Sequence, residues 1–504
     1  MTQIQRNLLT NIANLSVNIL VGLYYTPYLV THLGLAAYGL VPLTLIINQY
    51  INVLTGSLTG SLSRFYTISI QQKDFGKASS IFSTIVILLG VIILLILPLI
   101  YLIISNIDAV FKISDSFLES AQWLFCFTIF SFFISLYSSV LNITLYAQNR
   151  LDLMNVIKIM RIGLKLILVI SFFECIDVNI MYVGLANLCT EILVLLFSWF
   201  AFIKYSPKEI CLRLSLFSRS ALSGIVGMSF WTIIHQLGDV GLYRVDNIIV
   251  NRHWGMELSG ALGAISELGV YVTLVIGVVS SLFGPIILIS YSRHEHKEVQ
   301  KLTLTNSMVV GALTAIMVGC LIGYGKYFLC YWLGETYVIY SFWFVLKLLP
   351  LPFFAAAGIY AFVNRAWNKV KLPAIYTVLL GCFNVFVLMV LDYCSDCNSL
   401  NQVAWMLSFS ACIIIVQSYG INSFFFNKSY PENGNAILWV FFKLSFVVVL
   451  SICVSEILLW IFVPTSLYEV ILSLLVSGVM SLLLSVLFLF SLSQRQALLS
   501  IIKK

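Results

Sequence analysis

Apolar stretches of about 18 to 25 residues recur along this chain from end to end, the length that spans a hydrocarbon core of about 30 Å as a helix. Reading those stretches between polar breaks places transmembrane helices at roughly 8–30, 39–62, 81–104, 119–143, 156–173, 180–203, 221–249, 259–290, 303–325, 340–362, 373–391, 403–422, 436–462 and 469–491. The expected fold is therefore an all-α polytopic membrane protein of about fourteen helices. Composition agrees: 60% of the 504 residues are apolar, 10% are charged and mean hydropathy is +1.00. A soluble domain of this size needs far more charge to cover its surface. The first stretch carries several Asn and Pro27 but no small-residue cleavage site, which argues against a removable signal peptide.

Charge sets the orientation. With a cytoplasmic N-terminus, the outer loops hold only Lys112, Arg252 and Lys326 of the 28 Lys and Arg. The inner loops hold most of the others, and positive charge in short loops stays cytoplasmic. Both termini are then cytoplasmic. The net charge of +7 reflects this orientation rather than nucleic-acid binding.

Two loops share the pattern H-x-G-x-x-x-x-G: His32, Gly34 and Gly39, and His253, Gly255 and Gly260, an offset of 221 residues. Asn149-Arg150 and Asn364-Arg365 echo each other at a similar offset. Each offset spans six helices, an even number, so the copies point the same way. This is the signature of a parallel repeat, with a substrate path between two pseudo-symmetric six-helix bundles. The expected division is 1–212, 213–423 and two additional helices in 424–504.

Polar side chains fall in register on several helices. Asn7, Asn11, Asn14, Asn18 and Tyr25 share one sector of the first helix at 100° per residue. Asn48 and Asn52, with Thr55 and Thr59, repeat the spacing on the second. His235, Asp239 and Asp246 share a face of the seventh, and subtracting 221 carries them onto Asn14, Asn18 and Tyr25. Single residues of this kind often join helices by hydrogen bonds; a row of four or five suits a water-lined face.

Ionisable residues inside the predicted helices are Lys158, Arg161, Lys165, Glu191, Asp239, Arg244, Asp246, Glu267, Lys347, Lys443 and Glu456. Facing lipid, they would together cost on the order of 30 kcal/mol, so most should face a partner or water. Lys158, Arg161 and Lys165 lie on one side of the fifth helix, a stripe suited equally to a phosphate or to lipid headgroups. Asp239, Asp246, Glu191 and Glu267 are candidates for a coupling H+ or Na+. No phosphate loop, HExxH, nucleophile elbow or large outer loop stands out, which excludes ATP hydrolysis by a P-loop and gives no sign of an enzyme. No cofactor is expected. Cys394 and Cys397 form the one local cysteine pair; a disulfide there stays open, and no second pair completes a zinc site.

These features resemble the multidrug/oligosaccharidyl-lipid/polysaccharide (MOP) exporter superfamily, most closely its Wzx-type O-antigen flippase branch. The similarity runs over the whole chain through diffuse motifs. They are the Asn-rich first helix running into Tyr-Tyr-Thr-Pro27, His32-Leu-Gly-Leu-Ala-Ala-Tyr-Gly39, Ser61-Leu-Ser-Arg64-Phe, the segment Leu145 to Asn155, and Tyr243-Arg-Val-Asp-Asn-Ile-Ile-Val-Asn251. The resemblance implies alternating access around a central, partly cationic cavity. It implies an undecaprenyl-diphosphate-linked oligosaccharide as cargo, membrane lipids as surroundings, and a polysaccharide polymerase and chain-length machinery as partners. Arg64 matches a family arginine, and Asp246 an acid that relatives turn toward a coupling cation. Unlike lipid II flippases, the first helix carries Asn where several positive charges would stand. The alternatives are a drug/cation antiporter of the same superfamily and a membrane glycan polymerase or ligase.

Overall fold

The computed structural model describes residues 3–45, 65–67, 69–70, 72–281, 287, 295–366, 371–394, 399–430 and 434–488. Among these there is no strand, and eleven helices are long and apolar enough to cross a membrane. Two further helices of 25 residues each, Leu151–Cys175 and Arg219–Tyr243, coincide with predicted spans but are not among the eleven. The first carries the Lys158, Arg161 and Lys165 stripe. The remaining predicted span, 39–62, falls outside the described residues beyond Leu45, and with it Asn48, Asn52 and Arg64. Cys397 and the side chain of Cys394 also lie outside them.

The chain forms two compact units, residues 1–240 with 247–260, and residues 241–246 with 261–504. In the first, α1 (Gln3–Tyr38), α2 (Phe75–Ser105), α3 (Leu118–Ala147), α4 (Leu151–Cys175) and α5 (Met181–Tyr205) precede α6 (Arg219–Tyr243) and α7 (Val245–Trp254). Helix α1 runs well past its predicted end at residue 30, because nothing between there and Gly34 breaks a helix; Gly34 (φ 76°, ψ 162°) then kinks it. Asp74 caps α2, accepting from the Lys77 N–H at 3.0 Å. Tyr66, Phe82, Ile85, Leu89, Val140 and Leu141 fill one core of this unit. Helices α3 and α5 approach closely at Gly184, where a Cβ would lie 2.9 Å from the Leu124 carbonyl oxygen, and Asn142 donates to Ser198 Oγ across the same pair at 3.1 Å. Small residues let backbones approach in lipid, where hydrophobic association between helices is absent.

The second unit holds most of α8 (Met256–Ser281), then α9 (His296–Gly323), α10 (Gly325–Leu333), α11 (Ser341–Leu348), α12 (Leu351–Ala366), α13 (Lys371–Cys394), α14 (Ser399–Ile415), α15 (Asn422–Ser429), α16 (Gly434–Ile461) and α17 (Leu467–Phe488). A π-helical turn at Val416–Ile421 joins α14 to α15. Helices α9 and α16 pack through a seam of small residues: a Cβ on Gly319 would meet Ser451 Cβ at 2.6 Å, and one on Gly323 would meet Ser455 Cβ at 2.5 Å. Ala315, Ile316, Val447 and Val448 complete the seam. Tyr419 donates to the Ile437 carbonyl at 2.7 Å and stacks among Tyr360 and Phe441, satisfying a buried hydroxyl inside an aromatic core.

Two predicted spans are interrupted. The seventh breaks at Arg244, between α6 and α7, and the tenth breaks at Leu349-Pro350, between α11 and α12. Pro350 cannot donate to the Leu346 carbonyl, while Leu349 keeps helical dihedrals (φ −52°, ψ −38°), so this break is a missing hydrogen bond rather than a bend; the break at Arg244 has no such sequence marker.

The repeated glycine motif is a structural repeat. Gly34 and Gly255 both hold positive φ, 76° and 91°, conformations that favour glycine. Their partners Gly39 and Gly260 meet face to face. A Cβ on Gly39 would lie 2.2 Å from the Met256 carbonyl oxygen, and one on Gly260 would lie 2.5 Å from the Leu35 carbonyl oxygen. Shifting by 221 turns Leu35 into Met256 and Gly39 into Gly260, so the contact is reciprocal, as a two-fold relation between the segments requires.

Same-side positions also meet. Lys112, assigned outside, donates its N–H to Asn251 Oδ1 at 3.0 Å and its Nζ to the His253 carbonyl at 3.4 Å, beside Arg252. Arg150 and Lys204, both assigned inside, share the ring of Tyr205 at 4.9 and 5.6 Å.

Candidate functional site

Helices α1 and α4 run parallel and in register. The backbone N–H of Asp152 donates to Asn7 Oδ1 at 2.9 Å, Asn155 donates to Thr10 Oγ1 at 3.3 Å, and Tyr28 stacks on Phe173 at 6.0 Å. The sequence separation is 145 residues in all three pairs. At the same rise per residue, Asn11, Asn14 and Asn18 therefore stand level with Val156, Ile159 and Gly163, the stretch of α4 that carries the basic stripe. The asparagine row and the basic row occupy one depth.

Around that level the side chains form a polar cluster. Arg161 Nε lies 2.7 Å from Glu191 Oε1 on α5, and Arg161 Nη2 donates to Oε2 at 3.1 Å. Glu191 is 12% exposed and Arg161 33%. Lys165 places its ammonium 4.9 Å over the ring of Tyr25, a cation–π contact that strengthens as water is excluded. Lys158 is exposed and has no ion pair among the described residues. Asn14 Oδ1 and the Tyr25 hydroxyl are buried and lack hydrogen-bond partners among the described residues. A buried polar atom without a partner costs about 1–3 kcal/mol, so Asn14 Oδ1 is poised to accept, and the Tyr25 hydroxyl to donate or accept, a hydrogen bond with a group such as a hydroxyl. Asn11 and Asn18 are half-buried on the same helix.

At the N-terminal end of these two helices lies a cluster that the sequence did not announce. Asp152, 4% exposed, is held by Arg150 at 3.1 Å and Arg6 at 3.7 Å, and Gln3 donates to it at 2.8 Å. Asn7 Nδ2 donates to Asn149 Oδ1 at 3.1 Å, and Asn149 sits at φ 57°. Burial pushes the Asp152 carboxyl up, but the Arg150 and Gln3 hydrogen bonds and the Arg150 charge outweigh it and leave the pKa below the usual carboxylate range. The signal was the Asn149-Arg150-Leu-Asp152 turn, with Asn tolerating the left-handed position. One member of the asparagine row, Asn7, thus latches α1 to this turn.

The other predicted site residues form two separate pairs. His235 Nδ1 lies 3.0 Å from Asp239 Oδ2, one turn apart on α6, both about one-third exposed. In the second unit, Lys347 Nζ contacts Asp246 Oδ2, with Asp246 4% and Lys347 16% exposed. Lys347, one of the ionisable residues expected to face a partner or water, is here the counter-ion of a candidate coupling acid. Glu267 is half-buried on α8.

No family model matches the chain. The uncharacterized membrane protein EpsK of Bacillus subtilis (strain 168) is 25% identical over 401 residues, covering 77% of this chain and 76% of EpsK. Among solved structures, an inward-facing multidrug resistance MATE family transporter of the MOP superfamily matches with a TM-score of 0.63 at 15% identity, covering 83% of this chain and 98% of that one. An outward-facing form matches at 0.58 with 16% identity, covering 84% and 96%. The chain shares the fold of these MATE transporters. A Pyrococcus furiosus MOP superfamily transporter, described as having a binding pocket of reverse polarity that suggests a different function, shares this fold at a TM-score of 0.60 and 15% identity, covering 84% and 95%. The MATE fold meets the expectation of an all-α, multi-pass membrane architecture.

Proposed function

We propose that this chain is a transporter that flips an undecaprenyl-diphosphate-linked oligosaccharide, an O-antigen or similar polysaccharide repeat unit, from the cytoplasmic to the periplasmic leaflet of a bacterial inner membrane. The physical problem is that a sugar-diphosphate head cannot cross hydrocarbon unaided, whereas its polyprenyl tail stays in lipid. The observation that carries the reading is the register of α1 on α4, which stacks Asn11, Asn14 and Asn18 level with Lys158, Arg161 and Lys165. Amide and phenol groups suit hydroxyl-rich sugars, and the ammonium groups of Lys158 and Lys165 suit a diphosphate, with the Arg161 guanidinium beside them held on Glu191. The unpartnered Asn14 Oδ1 and Tyr25 hydroxyl call for hydroxyls of the kind a sugar supplies. Alternating access moves the head while the tail trails between helices. A polymerase and chain-length machinery would take up the flipped unit.

A drug/cation antiporter on the same fold needs carboxylates open to a cationic cargo. Glu191 and Asp246 are instead closed by Arg161 and Lys347, which favours the glycan reading. The test is deletion of the gene followed by lipid analysis. Undecaprenyl-linked repeat units trapped on the cytoplasmic face support a flippase; flipped but unpolymerised units point to a polymerase, and normal lipid intermediates with altered drug tolerance point to the antiporter.

A further inference from the structure

Asp246 and Lys347 each stand at an interruption of a membrane helix. Asp246 lies in the first turn of α7, just after the break at Arg244, and Lys347 in the last turn of α11, just before Leu349-Pro350. Backbone N–H groups at a helix start favour an anion, and a carbonyl without its helical donor, as Pro350 leaves that of Leu346, favours a cation, so each site suits the charge it carries. Asp246 is almost sealed from solvent, at 4% exposure. A carboxylate that deep in a membrane protein requires a counter-cation: a proton, a metal ion, or a cationic side chain. Here the cation is covalently attached to the protein, and its Nζ is in direct contact with Oδ2.

We infer that Lys347 is a tethered cation that fills the seat a mobile alkali cation would otherwise take at Asp246, so that this protein binds no Na+ there. An ammonium in contact with the carboxylate oxygen occupies the volume and the charge that Na+ would need, and the two cannot share it. Removing the amine while keeping the acid exposes a latent cation site. The inference concerns the ion and holds whatever cargo the protein carries.

The test is thermal unfolding of the purified full-length protein in choline, sodium or lithium chloride at one ionic strength, in buffer alkaline enough to ionise an uncompensated carboxylate. Wild type melts at the same temperature in all three salts. Lys347→Met melts lower in choline, and its midpoint climbs with the logarithm of sodium or lithium concentration, as expected for a ligand that binds only the folded state. Asp246→Asn/Lys347→Met, which removes both charges, regains most of the stability and loses the sodium response. A sodium-dependent rise in wild type that Asp246→Asn abolishes would overturn the inference; so would a Lys347→Met variant indifferent to cations. Should Lys347→Met fail to fold in choline, its recovery in sodium supports the latent site, and its failure in every salt while the double variant folds refutes it.

Discussion

The reciprocal glycine contact makes a quantitative prediction. A Cβ on Gly260 would lie 2.5 Å from the Leu35 carbonyl oxygen and 3.1 Å from Gly39 Cα, and ordinary contact begins near 3.4 Å. Both near atoms belong to backbone, so no rotamer change relieves the clash; the two segments must separate by about 1 Å. Overpacking of this kind costs about 1–3 kcal/mol, and a rigid neighbour places the value at the upper end. Alanine returns about 1 kcal/mol of helix propensity. Gly260→Ala should therefore destabilise by about 2 kcal/mol, lowering the melting temperature of a chain this long by about 2 °C. The assay is thermal unfolding in detergent, with Gly269→Ala and Gly277→Ala as controls, since a Cβ at either position meets nothing within 4 Å. Those two should be neutral or stabilising. Gly39→Ala should match Gly260→Ala, and the double variant should cost less than the sum, because the first substitution has already parted the segments. If Gly260→Ala melts at or above wild type while the controls behave, the close contact, and the two-fold relation drawn from it, are wrong.

Three further outcomes are expected. Because the folded pKa of Asp152 lies below its unfolded value, its contribution is fully present above the ordinary carboxylate range and is lost as pH falls through the folded value; an acid titration of stability should show that loss in wild type and not in Asp152→Asn, which should itself cost about 1.5–3 kcal/mol at neutral pH. A double-mutant cycle on Arg161→Ala and Glu191→Gln should give a coupling of about 1–2 kcal/mol, with Arg161→Ala reducing glycan export and Glu191→Gln sparing it, measured as surface polysaccharide. Gly323→Ala should destabilise the α9–α16 seam, and Ser455→Gly should suppress that defect, because it removes the two side-chain atoms nearest the new Cβ and leaves the Ile452 carbonyl at 3.5 Å.

Much of the fold was written in patterns that act locally. Apolar length marked the spans, and a pair of glycine motifs marked the repeat, because positive φ at Gly34 and Gly255 and close approach at Gly39 and Gly260 are demands that only glycine meets. A second signal of the same kind, Gly319-Cys-Leu-Ile-Gly323 against Ser451-Ile-Cys-Val-Ser455, went unread, although small residues four apart are how helices approach in lipid. Helix breaks were half legible: Pro350 announced one, and nothing in Tyr243-Arg-Val announced the other. Partner choice was not legible at all. Periodicity places Asp246 and Lys347 on helix faces, but they are 101 residues apart, and only the packing of the second unit decides that they meet. The same holds for Asn7, whose place in the asparagine row suggested a wet face and whose amide in fact ties α1 to Asn149.

The pairing of charges changes what the membrane-embedded residues can do. Eleven ionisable groups facing lipid would be prohibitive, and the fold meets that cost by closing acids on bases: Glu191 on Arg161, Asp246 on Lys347, Asp239 on His235. Each of these three carboxylates has a basic partner within salt-bridge distance, so a cationic cargo would have to displace an ion pair at Glu191 or Asp246, or the His235 contact at Asp239. On the basic side, Lys158 has no ion pair among the described residues, while Lys165 lies over the ring of Tyr25 and close enough to Glu191 to attract its carboxylate. Lys158 thus leaves one basic group on α4 for an anion, beside the buried polar atoms of Asn14 and Tyr25, and that combination is what the proposed glycan cargo needs and a drug cation does not.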